Sequence, residues 1–302
     1  MHQDLSDRDL GDQDVGDQDL ADKDVVDKDL AEAPPQQDGP SSKKSPNTVL
    51  APGELARRLD ECAILLDIDG TLLDLAPTPR EVWVPPGLAI TLNGLLMRTS
   101  GALALVSGRS LNDIDLIFAP DQFPAVGGHG AEMRISTDSE AVATHAPPMD
   151  KELKRRLAAI ARLSPGILLE DKGYSLALHY RLAPHAEKAI YAAVSLIRAD
   201  LPNAPIEVLP GKCVCEIKHS GFNKATGVLE LMTHEPFKGR RPIFIGDDVT
   251  DETVFAIMPD LDGLAFSVGR RAQGVADHFD EPRDVREWLA RLLDTENAAV
   301  RP

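Results

Sequence analysis

The stretch Ala63-Ile64-Leu65-Leu66-Asp67-Ile68-Asp69-Gly70-Thr71 decides the fold. Four consecutive apolar residues fit a strand buried on both faces, as in a parallel sheet. The strand runs into two carboxylates separated by one residue, and Gly70 permits a sharp turn straight after them. Reactive groups are thereby presented at the carboxyl edge of the sheet, where open α/β sheets bind ligands. One carboxylate can attack while the other handles protons. On its own the pentapeptide also fits an ordinary strand followed by an acidic turn, because Asp and Gly are common turn residues.

The same design recurs twice. Ala102-Leu103-Ala104-Leu105-Val106 runs into Ser107-Gly108-Arg109, and Pro242-Ile243-Phe244-Ile245 runs into Gly246-Asp247-Asp248-Val249-Thr250-Asp251-Glu252. In a parallel sheet with helical crossovers the three strand ends lie side by side. Between the first two, Leu88, Leu92, Leu95 and Leu96 form a helical stripe, and Ser110 is placed to cap a helix carrying Ile114, Leu116 and Ile117. Pro124-Ala125-Val126-Gly127-Gly128-His129-Gly130 reads as a further strand ending in a flexible turn. The βαβα order predicts a doubly wound parallel sheet.

The middle of the chain has a different pattern. Leu153, Leu157 and Ile160 mark one helix, and Ile190, Val194 and Ile197 a second. Tyr174 to Tyr180 and Val214 to Lys218 alternate as half-exposed strands, which suggests a sheet with one wet face. A smaller α+β domain is therefore expected at 146–218, inserted into a core made of 50–145 and 219–297.

Residues 4 to 33 repeat with a period of five, each unit opening on Asp followed by Leu or Val. Five residues advance a helix by roughly 500°, so the apolar positions smear around it. Five is odd, so on a strand they alternate faces. Neither element gains an apolar face, and residues 1–48 are expected to be a disordered acidic tail and linker. A divalent cation or basic partner could bind such a tail weakly; a merely solvated repeat is the simpler reading. Eleven Asp and one Glu against three basic residues give residues 1 to 33 a charge of −9, over half of the −17 of the whole chain. The acidic balance argues against a nucleic-acid partner. An anionic substrate remains possible where the local field is positive.

The chain of 302 residues is 43% hydrophobic, enough for one large or two moderate domains with a substantial core. No apolar run approaches the ~20 residues that span a bilayer, so no membrane partner is expected. The N-terminus lacks the basic-then-apolar pattern of a secretory signal, and a cytoplasmic location is the expectation. Three cysteines, Cys62, Cys213 and Cys215, are too few for a disulfide framework and read as packed thiols. Trp83 reads as a lone packing aromatic.

Two carboxylates, a hydroxyl, a lysine and a later acidic cluster suit phosphoryl transfer through an aspartyl-phosphate. An aspartate attacking a phosphate brings two anions together, and something cationic must neutralise them. Asp67 and Asp247 can hold Mg²⁺, a hard ion that prefers oxygen ligands. Lys224 can supply a second positive charge and Ser107 a donor to a phosphate oxygen. Asp69 can protonate the leaving oxygen and later accept a proton from water.

These motifs, in this order, resemble those of the haloacid dehalogenase-like phosphatases: Asp67 to Thr71, Val106 to Arg109, Lys224, and Gly246 to Asp251. The insertion between the second and third resembles their α/β cap. More narrowly, Val126 to Glu132, Glu170 to Gly173, His179-Tyr180-Arg181, Gly211 to Lys218 and the string ending in Glu252 resemble the trehalose-6-phosphate phosphatases, over roughly residues 60 to 295. The resemblance implies Mg²⁺-dependent release of phosphate from trehalose 6-phosphate, in trehalose biosynthesis, with a functional link to a trehalose-6-phosphate synthase. It implies Asp67 as nucleophile and Asp69 as acid/base. It also implies a metal held by Asp67, the Asp69 carbonyl and Asp247 with Asp251 near, and phosphate contacts from Thr71, Ser107 and Lys224. Glu170, Lys172 and Glu216 would bind sugar hydroxyls. One departure is Lys224-Ala225-Thr226-Gly227, where the family usually has Gly straight after the lysine. It leaves Lys224 ahead of Lys218 as the lysine of the site.

Duller readings accompany these roles. Thr71 can cap the turn after Gly70, Arg109 can pair with a structural carboxylate, and Asp248 can be a solvated neighbour of Asp247. His129 in a glycine turn reads as a local hydrogen-bonder, and His179 and Lys218 fit an exposed sheet face equally well. Rival functions are a phosphatase for another sugar phosphate, a phospho-accepting receiver-type regulator and a catalytically dead regulator. A receiver needs neither the second carboxylate on the same strand end nor an insertion of about 70 residues.

Overall fold

Strand β1, Cys62–Leu66, is apolar throughout because both of its faces and both of its edges are covered. It pairs in parallel with β2, Leu103–Val106, on one side and β9, Arg241–Gly246, on the other, with Leu65 opposite both Ala104 and Phe244. Alternate residues enter different cores. Ile64, Leu66, Leu105 and Ile245 pack with Leu92, Leu95, Ile114 and Leu289. Ala63, Leu65, Ala104 and Phe244 pack with Val228, Leu231, Val254 and Phe255 on the opposite face. The first group of helices is α1 (Leu88–Arg98), α2 (Leu111–Phe118) and α7 (Pro282–Ala299); the second is α5 (Lys224–Leu231) and α6 (Glu252–Ile257). This is the doubly wound parallel arrangement expected from the three apolar runs.

This computed structural model describes residues 55–76, 81–139, 146–211 and 213–299, with side chains described as far as residue 293. The acidic repeat and linker at 1–48 lie outside the described residues. The large sheet has the order β11-β10-β9-β1-β2-β3-β4. It adds β3 (Ala125–Gly127), β10 (Leu264–Val268) and β11 (Asp277–Phe279) in parallel, while β4 (Glu132–Arg134) closes the edge antiparallel to β3. Ser110 caps α2 as expected, its Oγ accepting from Asp113 N at 3.2 Å. Trp83 does not pack: it is 64% exposed.

A second, antiparallel sheet has the order β5-β6-β8-β7, from Leu168–Asp171, Ser175–His179, Val214–His219 and Ile206–Gly211. Helices α3 (Lys151–Ala159) and α4 (Glu187–Asp200) cover one face, where Leu153, Leu157, Ile190 and Val194 meet Leu176, Leu178 and Ile217. The opposite face is less wet than the alternation suggests. Ser175, Ala177 and Lys218 on it are buried, because polar side chains of the same face cover one another. Ser175 Oγ donates to Glu216 at 2.8 Å, and Lys218 Nζ is 2.8 Å from Glu207. Among the described residues no helix is long and apolar enough to cross a membrane.

Candidate active site

The carboxyl ends of β9, β1 and β2 are neighbours, and the singled-out side chains gather there. The Asp67 main-chain N–H still bonds Ile245 O at 2.9 Å, so the strand delivers its carboxylate at the sheet edge. The loop then closes at once, Gly70 N bonding Leu73 O at 2.8 Å. Gly70 has φ 83°, and a Cβ on it would lie 2.1 Å from Asp247 Oδ2, so only glycine lets the two strand ends approach this closely. Thr71, fully buried, donates to Asp247 Oδ1 at 3.2 Å and so ties the two ends together.

Lys224 starts α5, which the Asn223–Thr226 capping box holds intact despite the displaced glycine. Its Nζ lies 2.6 Å from Asp67 Oδ1 and 2.7 Å from Asp251 Oδ1, with all three residues buried. Asp251 Oδ2 accepts from the main-chain N–H of Asp247 at 3.1 Å and of Asp248 at 3.0 Å. Both Asp251 oxygens are therefore engaged, and its place is to hold Lys224 and the Asp247 turn. Lys218 is elsewhere: its Nζ bonds Glu207 and Phe222 O and sits 4.7 Å over the Phe222 ring. It is 2% exposed, so it is not a surface residue.

The charge of this cluster is unbalanced. Asp67, Asp247 and Asp251 each offer an oxygen, all within 4.8 Å of one another. Against three carboxylates the cluster holds one lysine, a formal −2 with every group ionised, and the hard oxygen donors fit a divalent cation. Burial pushes the Asp67 carboxyl up, against the pull of Lys224. Burial, with Asp251 beside it, pushes Asp247 up to about 6. Lys224, although buried, is held firmly charged by Asp67 and Asp251.

Asp69 points its carboxylate at Arg109, whose Nε and Nη2 donate to its two oxygens at 2.5 and 2.6 Å. Arg109 thus pairs with one of the paired carboxylates rather than with a structural one. Ser107 is buried and its Oγ accepts from Arg109 N at 3.2 Å. Asp248 is exposed and caps the turn after β9.

The second sheet brings a separate polar set together. Glu216 Oε1 accepts from Ser175 Oγ and lies 3.4 Å from Lys172 Nζ. Glu170, exposed at the sheet edge, pairs with His179 at 2.9 Å. Two side chains not singled out join the two sheets. Tyr174 OH donates to Glu132 Oε1 at 2.9 Å, and His129 Nε2 stands 4.0 Å from Glu216 Oε2. The glycines flanking His129 were the available signal: such a flank marks positive φ, which brings a backbone unusually close to its neighbours.

The trehalose-phosphatase family model matches residues 65–284, which take in all of the second sheet, the large sheet except the first residues of β1, and every site residue just described. The chain belongs to the trehalose-phosphatase family. It is thus a phosphoric monoester hydrolase with a haloacid dehalogenase-like fold. A probable trehalose-phosphate phosphatase of Sinorhizobium fredii is 43% identical over 217 residues, covering 71% of this chain and 80% of that one. The trehalose-6-phosphate phosphatase of Escherichia coli is 37% identical over 230 residues, covering 76% and 86%. The C-terminal domain of Candida albicans trehalose-6-phosphate phosphatase superposes with TM-score 0.66 at 21% identity, covering 82% of this phosphatase and 98% of that domain. At that identity the likeness speaks for the fold.

Proposed function

We propose that the chain hydrolyses trehalose 6-phosphate to trehalose and inorganic phosphate through a phosphoryl group carried transiently on Asp67. The observation that carries this reading is the cluster of buried Asp67 and Asp251 with half-buried Asp247 beside a single lysine, Lys224, a formal excess of two negative charges. Mg²⁺ would be held there by Asp67, the Asp69 carbonyl and Asp247; bound, it would neutralise phosphoryl charge as a Lewis acid. Asp67 attacks phosphorus, the bond to the sugar oxygen breaks, and Asp69 supplies the proton that oxygen needs. Lys224 offsets the charge that accumulates and opposes protonation of the buried nucleophile. Ser107 donates to a phosphoryl oxygen, and Thr71 does so by exchanging its bond to Asp247 Oδ1. Asp69 then takes a proton from a water that attacks the same phosphorus, releasing phosphate and restoring Asp67. Arg109 holds the Asp69 carboxylate in place between these two proton transfers.

Residues 50–145 with 219–297 act as the catalytic core and 146–218 as the cap that selects the sugar, through Glu170, Lys172 and Glu216. Their placement on one face of the second sheet supports this division. Residues 1–48 are the acidic tail and linker. In this reading the enzyme works in the cytoplasm, downstream of a trehalose-6-phosphate synthase. A phosphatase for another sugar phosphate shares the chemistry and differs in the cap.

Phosphate release from a panel of sugar phosphates, with and without Mg²⁺, tests substrate and metal together. Trehalose 6-phosphate should lead the panel and chelation should stop turnover; preference for another sugar phosphate refutes the substrate. Asp67→Asn should abolish release while keeping the melting temperature within a few degrees; substantial residual turnover refutes the nucleophile.

A further inference from the structure

His129 is not used by the chemistry above, yet its setting is specific. It has φ 55°, a left-handed conformation rare for residues with a Cβ. Gly128 at φ 55° and Gly130 at φ 100° flank it. The residue is held between the two ends of the site. Its main-chain N–H bonds Ser107 O at 3.1 Å. Its ring lies over Gly108 so closely that a Cβ there would come within 2.4 Å of Cε1. Its Nε2 faces Glu216 Oε2 on the other sheet at 4.0 Å. The remaining Glu216 oxygen is already engaged by Ser175 and Lys172.

The protonation of the ring follows from burial. Burial pushes the imidazole down to about 4; Glu216 opposes this, and Lys224, Lys172 and Lys218 add to it. A neutral imidazole carries one N–H. Nδ1 is buried with no partner, so a proton placed there would be an orphan donor. The proton therefore sits on Nε2, facing Glu216. At 4.0 Å the two are just beyond hydrogen-bond length, and a shift of about 1 Å between the sheets joins them.

We infer that His129 is a positioning residue for sugar selection: its Nε2–H orients the Glu216 carboxylate while its main chain and ring brace the Ser107-Gly108 turn. The sugar end and the phosphate end of the pocket are thereby held at a fixed separation, which a sugar phosphate spans and a small aryl phosphate does not. The inference rests on the reading of Glu216 as a sugar-binding residue.

A double-mutant cycle tests it, with kcat/KM measured on trehalose 6-phosphate and on p-nitrophenyl phosphate for wild type, His129→Asn, Glu216→Ala and the pair. Asparagine tolerates the left-handed backbone but is too short to reach Glu216. The expected result is a loss of about tenfold to a hundredfold on trehalose 6-phosphate for His129→Asn, at least tenfold greater than its loss on the aryl phosphate. The pair should be no worse on the sugar substrate than Glu216→Ala alone. Equal losses on both substrates, no loss, or losses that multiply in the pair overturn the inference. His129→Gly, which takes positive φ freely, repeats the cycle if the asparagine variant does not fold. If Glu216→Ala itself lowers both substrates equally, the sugar role of Glu216 fails and this inference with it; a selective Glu216→Ala with a multiplicative cycle removes His129 alone.

Discussion

Replacing Lys224 with methionine should cost the metal-free protein about 4 kcal/mol at pH 7, and the deficit should shrink in acid. The ammonium lies 2.6 Å from Asp67 and 2.7 Å from Asp251, and all three residues are at most 3% exposed. Methionine matches the volume and removes the charge, leaving two adjacent carboxylates buried without a cation. Breaking a buried ion pair in this way costs ~3–5 kcal/mol. The cluster can relieve itself by protonating Asp67, whose ordinary value is 3.8.

Protonation of Asp67 sets the pH dependence. In the variant the folded Asp67 carboxyl is raised still further above its unfolded value. The folded state then binds a proton that the unfolded state has released, so stability falls as pH rises above about 4. Asp67 is already raised in wild type, so the deficit grows only where the variant keeps the proton and wild type has released it, and it should be clearly larger at pH 7 than at pH 5. At ~2–4 °C per kcal/mol for a domain of this size, the melting temperature should drop by about 8–16 °C at pH 7. Thermal melts in EDTA across pH 5 to 7.5 measure this. A loss below about 1 kcal/mol, or one independent of pH, would refute the burial argument for the cluster.

Gly70→Ala should place a Cβ against Asp247 in a left-handed backbone, lowering the melting temperature by several degrees and raising the Mg²⁺ concentration for half-maximal phosphate release at least tenfold. An unchanged Mg²⁺ requirement would separate Gly70 from the metal cluster. His129 takes a proton near 6.5 in the unfolded chain and only near 4 when folded. The unfolded state binds more protons between those values, so this group removes roughly 3 kcal/mol of stability as pH falls through that window. His129→Asn should lack that slope, and urea unfolding at pH 7 and pH 4.5 reads the difference; parallel behaviour of variant and wild type would exclude a buried neutral imidazole.

The core sheet was legible because strands covered on both faces must be apolar throughout, and Ala63–Leu66, Leu103–Val106 and Pro242–Ile245 have no other economical use. The meeting of Asp67 and Asp247 followed from strand order, because parallel strands with helical crossovers have few ways to be arranged, whereas Lys224, at the start of a helix, and Asp251 were placed there by the family resemblance. What stayed hidden were relations between side chains on different elements. The 73-residue chain from 146 to 218 alternates as a half-wet sheet would, yet Lys218 and Ser175 are buried, because their cover comes from Glu207, Glu216 and the Phe222 carbonyl rather than from apolar residues. Periodicity reports how much water a face sees only when apolar atoms do the excluding. Arg109 misled for a related reason: spacing could not say that its partner is Asp69, forty positions earlier. A histidine in a glycine turn reads from sequence as a local hydrogen-bonder, and His129 carries no other sequence signal than those glycines. Its setting comes from the neighbouring ends of β2 and β3, which bring it against Ser107 and Gly108, and from the second sheet, which places Glu216 4.0 Å from its Nε2. In this fold the carboxylates of the cluster are written into single strand ends, while the polar set on the second sheet depends on pairs of strands that no one segment specifies.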